Sequence, residues 1–254
     1  MNSRKIINKV KNWSRILSSL TCSFMPSRAT IINDRDTAQC LIRQPLSLIR
    51  FGDGEFIIIN GGSIHYQAYS DELKQQLLQI VEEYNEEGVE AGYMLAMPRA
   101  FFKSSGFYLL KRLIYVRCWA IPKQTFRKLC RQDGGLYGDA FLFQKGNKVI
   151  YQPIWKRAKN IIFIHSNPAC YQSFREQFNG RTYYIEIPTA NCFDYIHDII
   201  HQIHHIASTQ QLTLSKTRVL ISAGPAAKVM VHQLCKQGIV AYDTGHCWDD
   251  PLVL

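Results

Sequence analysis

NIIFIHS (Asn160–Ser166), TYYIEIP (Thr182–Pro188) and RVLISAG (Arg218–Gly224) decide how this chain folds. Each is a short, nearly continuous apolar run closed by Ser, Pro or Gly. That is the pattern of a strand buried on both faces, not one that alternates between core and water. Helical patterns separate them, near Ala169–Phe178 and Phe193–Ser208, and a third follows near Ala226–Lys236. Strand–helix alternation of this kind predicts a mostly parallel sheet with helices on both faces. Toward the C-terminus, Ala241–His246 reads as a short strand and turn. Toward the N-terminus come a helix at Asp34–Arg43, a strand at Ser47–Gly52 and a helix capped by Asp71 with Leu73, Leu77, Ile80 and Val81 as its apolar stripe. A strand at Gly92–Met97 and basic helices at Tyr108–Trp119 and Gln124–Arg131 complete the series. The fold class expected is α/β: a single Rossmann-like domain over residues 31–254, preceded by a basic amphipathic helix within residues 1–30.

Nowhere do the 254 residues contain the ~20 consecutive apolar residues a membrane-spanning helix needs. The eight cysteines are scattered without C-x-x-C or zinc-knuckle spacing, which fits reduced thiols in a cytoplasmic protein. Charge is uneven. Residues 1–50 hold nine Lys/Arg against two Asp/Glu, residues 51–100 two against nine, and residues 101–157 twelve against two. Two basic segments favour an anionic partner. No nucleic-acid-binding motif accompanies them, so a nucleic-acid partner is not expected. In the first segment Ile6, Ile7, Val10, Trp13, Ile16, Leu17 and Leu20 share a helical face, with Arg4, Lys5, Lys9, Lys11 and Arg15 mostly on the others. Such a helix either attaches peripherally to an anionic membrane surface, at its inner face, or packs on its own domain.

Chemistry concentrates at a few peptides. R-F-G-D-G-E (Arg50–Glu55) ends a strand with Gly52 and Gly54 flanking an acid, where glycine permits a sharp turn and close approach to a ligand. Asp53 and Glu55 can converge on a hard divalent cation, and Arg50 offers a planar fork for phosphate; the bland reading is a turn whose acids face water. S-A-G-P-A-A-K (Ser222–Lys228) opens a helix after a strand, so Gly224, Pro225 and Lys228 could receive phosphate, or Lys228 could simply face solvent. In A-Y-D-T-G-H (Ala241–His246), His246 could ligate a metal or meet a diphosphate across Gly245, while Asp243 holds its ring or binds a hydroxyl. Asp139 in Y-G-D-A-F reads as a proton acceptor, a hydroxyl ligand or a helix cap, and Asn191 as a helix cap or ligand contact. The histidines His197, His201, His204 and His205 lack the glutamate of a zinc-protease helix and read as structural. The aromatic and basic stretch Arg99–Arg131 suits a pyrophosphate-bearing or membrane-held substrate, or is a solvated face.

Taken in order, R-F-G-D-G-E, the I-x-Y-Q-x-Y-x-x-E-L run (Ile64–Leu73), Y-G-D-A-F, the Asn191 segment, A-G-P-A-A-K and D-T-G-H resemble the GT-D fold glycosyltransferases over roughly residues 35–250. The resemblance implies a Rossmann-like enzyme that moves a sugar from a nucleoside diphosphate sugar, UDP-linked, to a bacterial surface glycan, a glycoprotein or a lipid-linked acceptor. It also implies a divalent metal cofactor, manganese or magnesium. The family's D-x-E motif falls on Asp53 and Glu55, its D-x-G-H on Asp243 and His246, and His246 is the third metal ligand expected. Where the family continues into an acidic, aromatic stretch ending in E-Y, this chain reads C-W-D-D-P-L-V-L, which sets the role of Asp249 apart. If configuration inverts, Asp139 and Asp249 are the candidates to take the acceptor's proton. Two other classes compete: a metal-dependent phosphohydrolase built on Asp53, Glu55, Asp243 and His246, and a non-catalytic nucleic-acid- or lipid-binding module.

Overall fold

In the computed structural model, which describes residues 13, 14, 16–25 and 27–248, the apolar runs lie side by side in one sheet. Among these residues eight strands pair in the order β1 (Thr30–Ile31), β4 (Leu136–Asp139), β3 (Tyr93–Met97), β2 (Ser47–Arg50), β8 (Ala241–Asp243), β7 (Thr217–Ile221), β5 (Asn160–His165) and β6 (Arg181–Glu186). Every pairing between them is parallel. All of β3 and β5 is buried, which is why their sequences run apolar without alternation.

Sequence order diverges at the seam between β2 and β8. From β2 the chain steps outward through β3 to β4; on the other side it enters at β5, passes to the edge at β6, and returns through β7 to β8. Such a reversal opens a crevice at the carboxyl ends of the two seam strands, the usual ligand position in an open parallel sheet. The register pairs Leu48 with Tyr242 and Ile221 with Asp243, so Arg50, Asp243 and the turn after β7 arrive at one place.

Helices α2 (Asp34–Arg43), α4 (Asp71–Glu87), α9 (Pro168–Gln177), α10 (Ile196–Thr209) and α11 (Pro225–Lys236) lie where periodicity put them. The cap of α4 is one residue earlier than expected: the Ser70 side chain accepts from the Leu73 amide at 3.1 Å, leaving Asp71 in the first turn. Helix α7 (Leu113–Leu129) runs unbroken across Pro122, where the sequence suggested two pieces. Burial of Val116, Trp119, Ala120 and Phe126 outweighs the one backbone bond proline forfeits. Helix α3 (Asp53–Ile59), α5 (Arg99–Phe102), α6 (Gly106–Leu110), α8 (Lys148–Trp155) and strands β1 and β4 complete the order. Gly54 and the isoleucines of α3 are weaker helix formers than alanine; its buried Phe56, Ile58 and Ile59 and the Glu55 side chain reaching back to the Gly52 amide hold it.

The N-terminal helix, α1, is helical at residues 13 and 14 and over 16–23, and its described part ends short of residue 30. Residues 1–12 of the expected amphipathic helix lie outside the described residues. What is described packs on the domain itself. Ile16, Ser19 and Ser23 are buried, and Ser19 Oγ donates to Gln124 Oε1 on α7 at 2.9 Å. Arg127 Nη1 donates to the carbonyls of Cys22 (2.7 Å) and Met25 (2.8 Å), so a cation closes the negative end of α1. Beside it the buried Lys123 donates to the carbonyls of Ser23 and Ser104. No described helix is long and apolar enough to cross a membrane.

Burial, and secondarily Arg127, pulls the Lys123 ammonium down to about 8 from an ordinary 10.5. Between those values the unfolded chain holds a proton that the folded chain has released, so this group's contribution to stability rises with pH. Denaturant unfolding of wild type and Lys123→Met from pH 7 to 10.5 should show the wild type gaining on the variant between pH 8 and 10.5. A pH-independent difference would contradict a charged amine in that position.

Candidate functional site

At the seam, four charged side chains from four elements form one buried network. Asp243 ends β8 with no exposed surface. Lys228, one turn into α11, places its ammonium 3.0 Å from Asp243 Oδ2, 3.1 Å from Glu55 Oε1 on α3 and 3.0 Å from the Gly224 carbonyl. A lysine has three donors, and here all three are used. The second oxygen of Glu55 accepts from the Gly52 amide at 2.6 Å. Arg50, at the end of β2, donates from Nη2 to Asp243 Oδ1 (3.4 Å) and from Nη1 to the Ala140 carbonyl (2.8 Å), and its guanidinium lies over the Phe143 ring. Arg50 Nε is buried without a partner among the described residues.

Backbone conformation makes room for this network. Gly245 has φ +49, and a Cβ there would lie 1.7 Å from Arg50 Nη2, so only glycine lets the guanidinium pass. Gly224 has φ +54, and a Cβ would meet the Tyr66 ring at 2.5 Å. That ring is held in place from below: Asn191, itself at φ 51, accepts from the Ala68 amide with its side chain (2.8 Å) and donates its own amide to the Tyr66 carbonyl (2.9 Å).

The charges do not cancel. Burial alone would push Asp243 up, but Lys228 and Arg50 outweigh it and hold the carboxyl below the ordinary range. Burial likewise opposes the Lys228 ammonium, and Asp243 and Glu55 overcome it and hold it above its ordinary value. Asp243 therefore stabilises the fold above its unfolded pKa, losing this as pH falls through its folded value; Lys228 does so below its unfolded pKa, losing this as pH rises through its folded value. Two cations thus serve two carboxylates across neutral pH. Asp53, in the first turn of α3, is the third carboxylate, and burial and then Glu55 raise its pKa. It is the surplus charge of the site.

Several sequence expectations change. Lys228 does not face solvent; it is an interior counter-ion to Glu55 and Asp243. The fork of Arg50 grips the chain's own carboxylate and carbonyl instead of a ligand. Both oxygens of Asp243 are engaged, one by Arg50 and one by Lys228. Gly52 and Gly54 make no positive-φ turn; they cap α3 and enter its first turn. Pro225 opens α11, but the Tyr66 ring lies over Gly224 at that helix start, which is no open phosphate cradle. Asn191 makes no side-chain helix cap and instead positions the Tyr66 loop. Asp139 ends β4, where its carboxylate accepts from the Phe141 amide (3.0 Å) and the Arg99 amide (3.4 Å) and burial raises its pKa. His246 lies on the exposed side of the turn Gly245–Cys247. Asp249 lies outside the described residues. Tyr66, in the I-x-Y-Q-x-Y run, stands at the rim of the network, where burial, and then Glu55, raise its pKa.

For a metal, no three His, Cys, Asp or Glu side chains converge among the described residues, so Asp53, Glu55 and His246 are not a preformed three-ligand site. What fits is narrower. Magnesium and manganese commonly take one or two carboxylates and fill the remaining positions with phosphate and water. Asp53, carrying surplus charge beside Glu55, has that donor chemistry.

A sequence profile described as the glycosyltransferase GT-D fold matches residues 48–250. The chain belongs to this GT-D-fold glycosyltransferase family. Within it, the chain is similar to Glycosyltransferase GlyD of Streptococcus pneumoniae serotype 4, 24% identical over 233 residues that cover 83% of this chain and 26% of that protein. It spans under a third of the length of the curated relatives it matches. Two solved structures share the fold. One is described as the highly conserved domain of unknown function 1792 with a distinct glycosyltransferase fold (TM-score 0.71, 21% identity, 91% of this chain and 82% of that one). The other is a glycosyltransferase of the same domain from Streptococcus sanguinis (TM-score 0.70, 22% identity, 86% and 82%).

Removing one partner of a buried ion pair strands the other charge, at about 3–5 kcal/mol. Lys228→Met should therefore lower unfolding stability by about that much, measured by denaturant titration at pH 7. Asp53→Asn should do the reverse. A raised folded pKa means the ionised form is disfavoured by folding, so the variant should melt above wild type at pH 7, with the gain vanishing as pH falls to the ordinary carboxylate range.

Proposed function

We propose that this GT-D-fold chain transfers a sugar from a nucleoside diphosphate sugar, UDP-linked, to a growing glycan, a glycoprotein or a lipid-linked acceptor on the cytoplasmic side of a membrane, with manganese or magnesium as cofactor. The observation that carries the reading is the surplus carboxylate of Asp53, at the seam where β2 and β8 end, beside a charge network neutralised without it. Asp53, with Glu55 next to it, would hold the cation, which when bound supplies positive charge against the leaving diphosphate.

The chain's own residues prepare that step. Lys228, Asp243 and Arg50 fix Glu55 and the β2 end in one arrangement, so little reorganisation accompanies charge development. Arg50, held by Asp243 and the Ala140 carbonyl, keeps its positive charge fixed at the β2 end. Tyr66, with its pKa raised, keeps a protonated phenol at the rim, able to donate to donor sugar or phosphate. If configuration inverts, Asp139 is the described carboxylate suited to take the acceptor's proton, since burial makes it a stronger base. A phosphohydrolase built on Asp53, Glu55, Asp243 and His246 is disfavoured, because Glu55 and Asp243 are already held by cations.

UDP release from a UDP-sugar panel, measured with and without acceptor, tests the proposal. Release should rise with acceptor, vanish with chelator and return with manganese, and Asp53→Asn should lower turnover about a hundredfold or more. Full turnover in the variant, or turnover indifferent to chelator, would overturn the assignment of Asp53.

A further inference from the structure

Helices α6 and α7 form a hairpin whose two sides differ sharply. The inner side is fixed to the core: Leu109 and Val116 are buried, Tyr108 stacks on Tyr115 with centroids 5.9 Å apart, and Phe101 stacks on Trp119 at 4.2 Å. The outer side carries Phe107, Leu110, Leu113 and Ile114 at 71%, 48%, 70% and 60% exposure. These four large apolar side chains lie within eight consecutive residues on an anchored support. Phe24 extends the patch, its ring edge-on to Phe107 at 5.0 Å. A contiguous apolar surface of this kind marks an interaction site.

Charge identifies the partner. From Ala91 to Gln132 the chain has nine Lys/Arg and no Asp/Glu. Lys103, Lys111, Arg112 and Arg117 are exposed in the same segment as the patch, Lys111 and Arg112 forming the turn between the two helices. A second copy of this chain would bring like charges face to face across a symmetric contact. An anionic bilayer meets both halves of the surface, with acyl chains for the apolar residues and lipid phosphates for the cations.

We propose that the α6–α7 hairpin is a membrane-contact surface that seats the protein on an anionic bilayer. The hairpin is a second element for the attachment expected of the N-terminal helix, whose residues 13–25, as far as described, pack in part on α7. The hairpin also adjoins the candidate site. Helix α7, whose N-terminal end carries the patch, packs against α3, whose first turn holds Asp53. Attachment stands apart from the glycosyl-transfer reading, because it is measured with neither donor nor acceptor.

The test is co-sedimentation of the full chain with phosphatidylcholine vesicles, with and without phosphatidylglycerol. Wild type should pellet only with the anionic vesicles, and less so as salt rises. The exposed-site double variants Phe107→Ser/Ile114→Ser and Lys111→Glu/Arg112→Glu should each weaken binding by about tenfold or more while leaving the thermal midpoint and UDP release unchanged. Wild-type binding equal to that of both variants would place attachment elsewhere on the chain and overturn the proposal. So would absence of binding to anionic vesicles, or a wild-type dimer in light scattering that these variants dissolve.

Discussion

A buried ammonium with three acceptors governs how the carboxyl end of this sheet is built. Lys228 sits in a medium where an unmatched charge is costly, so each of its donors has a fixed partner: the Gly224 carbonyl, Glu55 and Asp243. Those partners come from the turn after β7, the first turn of α3 and the end of β8. Moving any one element would leave a charge uncompensated. The positive φ of Gly224, the open space at Gly245 through which Arg50 passes, and the Gly52 amide that takes the spare oxygen of Glu55 all follow from satisfying this one group and its neighbours. Such a network adds little net stability over an apolar core of the same volume. Its effect is to admit one arrangement of the seam and penalise the others.

That rigidity gives Asp53 its meaning. A solvated carboxylate in a first helical turn would be an ordinary helix-start acid, comfortable near the positive end of α3. Here the helix end is already served by Glu55, and both nearby cations are engaged by other carboxylates. Asp53 therefore bears a raised pKa that the hydrogen bond from the Gly54 amide offsets only in part, a cost to folding that a bound cation would lessen. Perturbation of this kind concentrates where ligands are bound, and belonging to the GT-D-fold family gives it a chemical direction.

The sheet was readable from the chain because its strands are buried on both faces. NIIFIHS and RVLISAG announce themselves without any partner, and α4 shows its stripe in every turn. What escaped reading depends on distant partners. Strand β4, L-Y-G-D, is short and polar at its end and is defined by the edges of β1 and β3. Helix α3 begins with two glycines around an acid and is helical because its isoleucines and Phe56 find the core. Lys228 follows a glycine-rich turn at the spacing of a phosphate ligand; only the meeting of Asp243 and Glu55, 188 positions apart in the chain, turns it inward. Asn191 shows no local sign that its partners lie at Tyr66 and Ala68.

The basic segment after Arg99 shows the same limit from the other side. Its charge was evident as a total, yet the residues divide by the periodicity of α7. Lys123 and Arg127, four apart, share a face and turn toward α1, where they meet the carbonyls of Ser23, Cys22 and Met25. Ile114 and Cys118, also four apart, follow another line along the same helix, from open solvent to within reach of the Asp53 charge. Helix α3 packs against α7, so the helix that bears Asp53 is braced by the one whose N-terminal end is apolar and exposed. The packed pair α3 and α7 thus links the candidate cation site to the hairpin tip. The apolar tip and the acidic crevice therefore share one pair of packed helices, so a change in how α7 seats on α3 bears on both.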